Sequence, residues 1–131
     1  MKQGFLLIIA STLSVIFMTI HLAGDIIFGM EKGGPLNLIA LPILTVWLYG
    51  TLVLAGKRLG YIIMLLGALF GLLMPIIHMT GNGISSELLK SGGSYMFVWT
   101  LIALGVTSLF SLILSVIELW KLGRHTNSDL Q

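Results

Sequence analysis

Four long blocks of apolar residues dominate this chain and restrict what it can fold into. Each block approaches or exceeds the roughly 20 residues that a helix needs to cross about 30 Å of hydrocarbon. Polar and apolar residues do not alternate within the blocks, as a small β-barrel would require. We therefore expect an all-α integral membrane four-helix bundle. The predicted single domain covers residues 1–131, with transmembrane helices over 5–28, 36–55, 59–79 and 95–120.

The composition favours the same class of protein. The chain is 56% hydrophobic and 9% charged, and its mean hydropathy is +1.04. A soluble domain carries roughly a quarter charged residues, so 7 Lys and Arg with 5 Asp and Glu cannot cover a water-exposed globule. No basic run with interleaved aromatic residues is present, so nucleic acid is not an expected partner. Zero cysteines exclude disulfides, thiolate metal sites and cysteine nucleophiles.

The basic residues predict the orientation of the bundle. They lie at the N-terminus, in the second connection and near the C-terminus, at Lys2, Lys57, Arg58, Lys121 and Arg124. Four spans put these three segments on one side, as the positive-inside rule requires. We therefore expect up-down-up-down topology with both termini cytoplasmic and an outer loop over 80–94. The short chain, without eukaryotic targeting features, favours a bacterial inner membrane.

Small and hydroxyl residues line one face of several predicted helices. In helix 3, Gly67 and Gly71 form a small-xxx-small pair, which allows another helix to approach closely. Helix 2 is the most lipid-like of the four, and Pro42 predicts a kink in it. Positions that serve helix packing are predicted at Ser11, Ser14, Gly67, Gly71 and Ser111.

An ionisable cluster is predicted at the outer end of helices 1 and 3. His21 and Asp25 are four residues apart, so they share one face of helix 1. At about 1.5 Å per residue, His21 lies roughly 25 Å above Gly4, and His78 lies roughly 28 Å above Leu59. Because helices 1 and 3 run in the same direction, the two imidazoles are expected at similar depth.

Two imidazoles and a carboxylate are a typical donor set for a divalent Zn, Fe, Mn or Cu ion. Met18 and Met74 lie near these residues in sequence and are possible thioether donors, although Met also fills gaps in apolar interiors. Glu31 and Glu87, in the outer connections, are possible additional carboxylates. Two alternatives remain open. The histidines could clamp a b-type haem, or the His–Asp pair could simply hydrogen-bond near the interface.

Two classes of function follow from these residues. In the first, the chain is a membrane protein with an outward-facing metal- or proton-binding site, acting as a carrier, a metal-handling subunit or a small metalloenzyme. In the second, it is a structural or accessory subunit without chemistry of its own. In both classes its expected partners are the lipid bilayer and either further copies of itself or a larger membrane complex.

Overall fold

The computed structural model describes residues 2–28, 38–80 and 92–128, which are helical over most of their length. The helices are α1 (Lys2–Phe28), α2 (Leu41–Leu52), α3 (Arg58–Thr80) and α4 (Gly92–Ser128). A single 3₁₀ turn over 38–40 precedes α2. These ranges contain no strand, so the predicted all-α class is confirmed for the described part of the chain.

Within the described residues, three of the four helices are long and apolar enough to cross a membrane. These segments are Lys2–Ile27, Arg58–His78 and Tyr95–Arg124. The apolar segment Leu38–Leu52 is shorter, and the 12 residues of α2 rise only about 18 Å. The structure therefore supports three membrane-length helices where the hydropathy pattern predicted four.

The helix bounds differ most from the predicted spans in α2 and α4. The second helix ends at Leu52, whereas the hydropathy pattern extended it to residue 55. The fourth helix begins at Gly92 and continues to Ser128, well beyond the predicted 95–120. Residues 92–94 of the predicted outer loop are therefore helical, and residues 81–91 of that loop lie outside the described residues.

The expected kink at Pro42 is wrong. Pro42 lies in the first turn of α2, where a missing backbone N–H removes no hydrogen bond from the helix. It therefore helps to begin the helix. The proline inside a helix is Pro75, in the last third of α3.

The contacts between the helix ends establish how the helices run. The rings of His21, near the end of α1, and His78, near the end of α3, are in contact. Leu7 and Tyr61, near the starts of the same helices, share one cluster, so these helices are parallel. Phe97, near the start of α4, contacts both rings, so α4 is antiparallel to them. In the α2–α3 hairpin, Trp47 lies opposite Gly67. The described helices thus alternate in direction.

Two glycines allow the α2–α3 hairpin to be tight. Gly56, in the connection, has a φ of 81°, a left-handed conformation that is readily adopted only by glycine. Gly60 packs directly against the backbone carbonyl of Leu54, where any Cβ atom would overlap that oxygen. The hairpin holds α2 against α3, with Ile63 packed on Gly50 and Trp47 packed on Gly67.

Hydroxyl groups link the helices at the middle of the bundle. The Trp47 Nε1–H donates to Ser11 Oγ at 2.9 Å. Ser11 Oγ also lies 2.7 Å from Thr51 Oγ1, which connects α1 to α2. Ser14 Oγ donates to Thr107 Oγ1 at 3.1 Å, which connects α1 to α4. Such bonds satisfy polar groups that burial would otherwise leave without partners.

The outer surface of the bundle is apolar, and exposed tryptophans lie near both ends of α4. Large apolar side chains such as Leu66 and Phe110 are exposed. Two exposed tryptophans, Trp99 and Trp120, lie near opposite ends of α4, and their 21-residue separation corresponds to about 31 Å of helix. The Arg124 guanidinium lies over the Trp120 ring.

Candidate metal centre

His21, Asp25 and His78 form one buried group at the end of α1 and α3. One donor atom from each residue lies within 4.8 Å of the other two. The residues are 2%, 5% and 3% exposed, respectively. Within the described residues, this is the one group of three His, Asp or Glu side chains arranged closely enough to hold a metal ion.

Helical spacing places the first two members of this group together. His21 and Asp25 are one turn apart on α1, and His21 Nε2 lies 3.7 Å from Asp25 Oδ2. That separation is longer than a hydrogen bond. Both ring nitrogens of His21 are buried and make no hydrogen bond to any residue that the structure describes. Because an unpaired buried polar atom is costly, the imidazole is suited to a ligand.

The third member is oriented by its own helix. His78 Nδ1 lies 2.8 Å from the backbone oxygen of Met74. A carbonyl oxygen can only accept, so Nδ1 carries the proton and Nε2 of the neutral ring has the lone pair that a metal needs. Metal-binding histidines usually donate their other N–H to a carboxylate or a backbone carbonyl in this way.

Phe97 closes the centre on the side of α4. Its ring centroid lies 4.5 Å from that of His21 and 5.5 Å from that of His78. The sequence analysis did not single out this residue. Helical spacing could have identified it as an inward-facing residue. Steps of four, three and four residues lead from Phe97 through Leu101 and Leu104 to Ser108, and all four residues are buried on one face of α4. The ring keeps water from that side of the imidazoles.

The histidine rings are too close for a haem to lie between them. Their centroids are 4.9 Å apart and their planes meet at 82°, so the rings are in van der Waals contact. A haem clamped by two histidines would place the porphyrin plane between the rings. The arrangement therefore disagrees with the haem alternative.

The donors can reach one ion after a small movement. Two donors at about 2.1 Å from a tetrahedral zinc ion are about 3.4 Å apart. The present separations of up to 4.8 Å exceed that value by at most about 1.4 Å, a distance that side-chain rotation covers. Three protein donors would leave the fourth position of a tetrahedral ion open. Catalytic zinc sites have such an open position, whereas structural zinc sites have four protein ligands.

The methionines lie beneath the centre in an apolar cluster. Met18 is buried with Trp47 and Leu104, and Met74 packs against the same cluster. These contacts are those of core side chains, and the backbone oxygen of Met74 contacts the His78 ring. The suggested carboxylates Glu31 and Glu87 lie outside the described residues.

The predicted packing residues make their contacts within the chain. A Cβ atom on Gly67 would overlap the Trp47 indole, and one on Gly71 would overlap Ser108 Oγ. Ser11, Ser14 and Ser111 are fully buried.

No protein-family model, no curated protein and no solved structure matches this chain.

Proposed function

We propose that this protein spans a membrane and holds a divalent transition metal at one end of its helical bundle. The membrane placement is supported by three helices of sufficient length and apolar character. It is also supported by the Trp99 to Trp120 separation of about 31 Å along α4, because tryptophans favour the two interfaces of a bilayer about 30 Å thick.

The proposed orientation places both termini on the cytoplasmic side of a bacterial inner membrane. Lys2, Lys121 and Arg124 lie at the end of the bundle opposite to His21, and Arg58 begins α3 at that same end. The Lys121 ammonium contacts Gln3 and Glu118, which brings the first turn of α1 to the last turns of α4. The positive-inside rule then directs the His–Asp centre outward.

The observation that supports metal binding is the buried convergence of His21, Asp25 and His78 within 4.8 Å. Charged and polar side chains inside a membrane are expensive and are usually kept for function. Two imidazoles and one carboxylate suit Zn²⁺ or Fe²⁺, with Mn²⁺ and Cu²⁺ as further candidates. An open coordination position favours metal exchange or metal-assisted chemistry over a purely structural ion.

A structural or accessory role is the alternative. The contacts of Gly67 and Gly71 do not favour it, because both glycines already pack against Trp47 or Ser108 of the same chain. Binding of a proton without a metal is a further possibility for the same three residues. Metal analysis separates these functions.

The test is metal analysis of protein purified in detergent without chelator. We expect close to one transition-metal ion per chain. His21→Ala, Asp25→Ala and His78→Ala should each lower metal affinity at least tenfold, because even second-shell substitutions cost about 10- to 100-fold. His125→Ala is the matched control, since it removes a histidine near the opposite end of α4 and should leave the metal content unchanged.

Thermal unfolding provides a second measurement. A metal at 100 times its dissociation constant should stabilise the folded protein by about 2.7 kcal/mol, and EDTA should remove that stabilisation. A folded, metal-free wild-type protein that gains no stability from any of the four metals would contradict metal binding. Equal metal content in wild type and all three alanine variants would contradict the proposed ligands.

A further inference from the structure

A cleft lies between the start of α3 and the end of α4, at the end of the bundle opposite to the candidate metal centre. It encloses about 250 Å³. One arginine and four uncharged residues line it, namely Arg58, Ile62, Leu119, Leu122 and Gly123. The membrane-length segment of α3 begins at Arg58, and that of α4 ends at Arg124. The proposed membrane placement therefore puts this cleft at the cytoplasmic surface of the bilayer.

The wall of the cleft changes from polar to apolar with depth in the bilayer. Arg58 and Ile62 are four residues apart on α3, so they lie on one face of that helix about 6 Å apart along its axis. Gly123 and Leu119 have the same spacing on α4, which runs in the opposite direction. The arginine and the glycine thus form the cytoplasmic rim, and the isoleucine and the leucine line the part that faces the hydrocarbon.

The end of the bundle that carries the cleft is strongly basic. Five of the seven Lys and Arg residues of the chain lie there, namely Lys2, Lys57, Arg58, Lys121 and Arg124. The one acidic residue that the structure describes at this end is Glu118, which pairs with Lys121 at 2.8 Å. Arg58 is exposed, and no carboxylate of the described residues pairs with it. Its guanidinium is therefore available to an anion in the cleft.

We propose that this cleft binds one anionic phospholipid, with the lipid phosphate on Arg58 and an acyl chain over Ile62 and Leu119. A guanidinium presents N–H donors that match the geometry of a phosphate. The apolar part of the wall gives an acyl chain contacts that a free anion could not make. Basic pockets between membrane helices on the cytoplasmic side are known to bind lipid head groups.

The charges around the cleft favour an anionic lipid over a zwitterionic one. The ammonium group of phosphatidylethanolamine would meet basic residues, and the nearby Glu118 carboxylate is already paired with Lys121. The glycerol head group of phosphatidylglycerol carries no such cation. This inference goes beyond metal binding, and it rests on the membrane placement in the proposed function.

The first experiment compares two lipids with the same acyl chains, dioleoyl-phosphatidylglycerol and dioleoyl-phosphatidylethanolamine. Each is titrated into protein in a neutral maltoside detergent, and native mass spectrometry measures the fraction of protein with one bound lipid. We expect phosphatidylglycerol to bind about tenfold more tightly, since hydrogen bonds to charged groups contribute that much. Equal affinities would overturn the choice of an anionic lipid.

Arg58→Gln should weaken phosphatidylglycerol binding by about tenfold, because it removes the charged donor to the phosphate. Arg124→Gln is the matched control. It removes the same charge from the same end of the bundle, but Arg124 lies over the Trp120 ring and does not line the cleft. It should weaken binding by about fivefold at most, the effect of one basic residue near an anionic lipid. Equal losses in the two variants would show that only net charge matters and would overturn the proposed site.

Gly123→Leu is an independent variant, because it fills the cleft without changing any charge. A Cβ atom at Gly123 meets nothing within 4 Å, so the leucine can enter the cleft without displacing the helices. It should weaken phosphatidylglycerol binding by about tenfold, since the acyl chain loses its apolar contacts. Gly24→Leu is the matched control, because Gly24 also has open space around its Cβ position but lies near the other end of the bundle. Gly123→Leu protein that binds the lipid as wild type does would contradict the cleft.

Inorganic phosphate distinguishes a lipid from a free anion. At a concentration equal to that of the lipid, it should displace no phosphatidylglycerol, because it cannot use the apolar wall. Displacement at that concentration would mean that the cleft is a site for the free anion and would overturn the lipid. All titrations use protein treated with EDTA, so a failure of lipid binding and a failure of metal binding are separate results. Arg58→Gln and Gly123→Leu should also retain the wild-type metal content, since neither changes a proposed ligand.

Discussion

The close contact between Gly67 and Trp47 allows a sharp test of how the helices that carry the centre are held together. Gly67→Ala adds one methyl group to α3 at the point where it meets the indole of α2. That methyl would overlap three atoms of the indole, all of them in its rigid ring system. Trp47 is 1% exposed, so the ring is in contact with its neighbours over nearly all of its surface.

The expected cost combines three effects. Overpacking by a methyl group destabilises a core by about 1–3 kcal/mol. A displaced indole also loses its 2.9 Å hydrogen bond to Ser11, which contributes about 0.5–1.5 kcal/mol. Alanine recovers up to about 1 kcal/mol through its higher helix propensity. We therefore expect Gly67→Ala to lower the free energy of unfolding by about 0.5–4.5 kcal/mol.

The assay is reversible unfolding in mixed detergent micelles, with Gly123→Ala as the matched control. Gly123 lies on α4 with open space around its Cβ position, so alanine there should be neutral or stabilise by up to about 1 kcal/mol. Trp47→Phe completes a double-mutant cycle, since a smaller ring should accept the Gly67→Ala methyl at lower cost. The coupling energy should be about 0.5–3 kcal/mol, as for residues in direct contact.

Two results would refute this reasoning. If Gly67→Ala were as stable as Gly123→Ala, the close approach of α3 to the Trp47 indole would be wrong. If Gly67→Ala were destabilised equally in the wild-type and Trp47→Phe backgrounds, the cost would not come from the indole. The same variants also test whether a shift of α3 displaces His78. If it does, metal affinity should fall together with the free energy of unfolding.

The remaining predictions concern orientation and interhelical bonding. Because the natural chain has no cysteine, Lys2→Cys, Lys57→Cys and Arg124→Cys should all react with a membrane-impermeant maleimide only from the cytoplasmic side. Labelling of any one of them from the outside would contradict the proposed orientation. A Ser14→Ala and Thr107→Val cycle should give a coupling energy of about 0.6 kcal/mol, the average for hydrogen bonds between membrane helices, whereas zero coupling would contradict the 3.1 Å bond between these hydroxyls.

The helical class of the fold was predictable because it depends on local properties. Hydropathy integrated over about 20 residues identifies a helix of membrane length, and the described part of the chain contains three such helices. The second helix was predicted to cover residues 36–55 but covers Leu41–Leu52, because hydropathy alone does not show where a helix begins and ends. Pro42 was interpreted as a kink because a proline's effect depends on its position relative to the helix start, which the apolar pattern does not define.

Part of the candidate centre was predictable for the same reason. A spacing of four residues places His21 and Asp25 on one face of α1 whatever surrounds it. The similar depth of His21 and His78 followed from the number of residues in each helix, and the ring contact agrees with it. The role of the Met74 backbone oxygen could not be predicted, because a side chain's choice of hydrogen-bond partner depends on its rotamer.

The apolar pattern of the sequence specifies helices, and residue counting puts two imidazoles and a carboxylate at comparable heights along them. Whether those groups meet depends on the tertiary structure. Helical periodicity specifies the face on which a residue lies, but the rotation and separation of neighbouring helices depend on packing. Here that packing is the contact of Gly67 with Trp47 and of Gly71 with Ser108, together with the Phe97 ring that closes the centre.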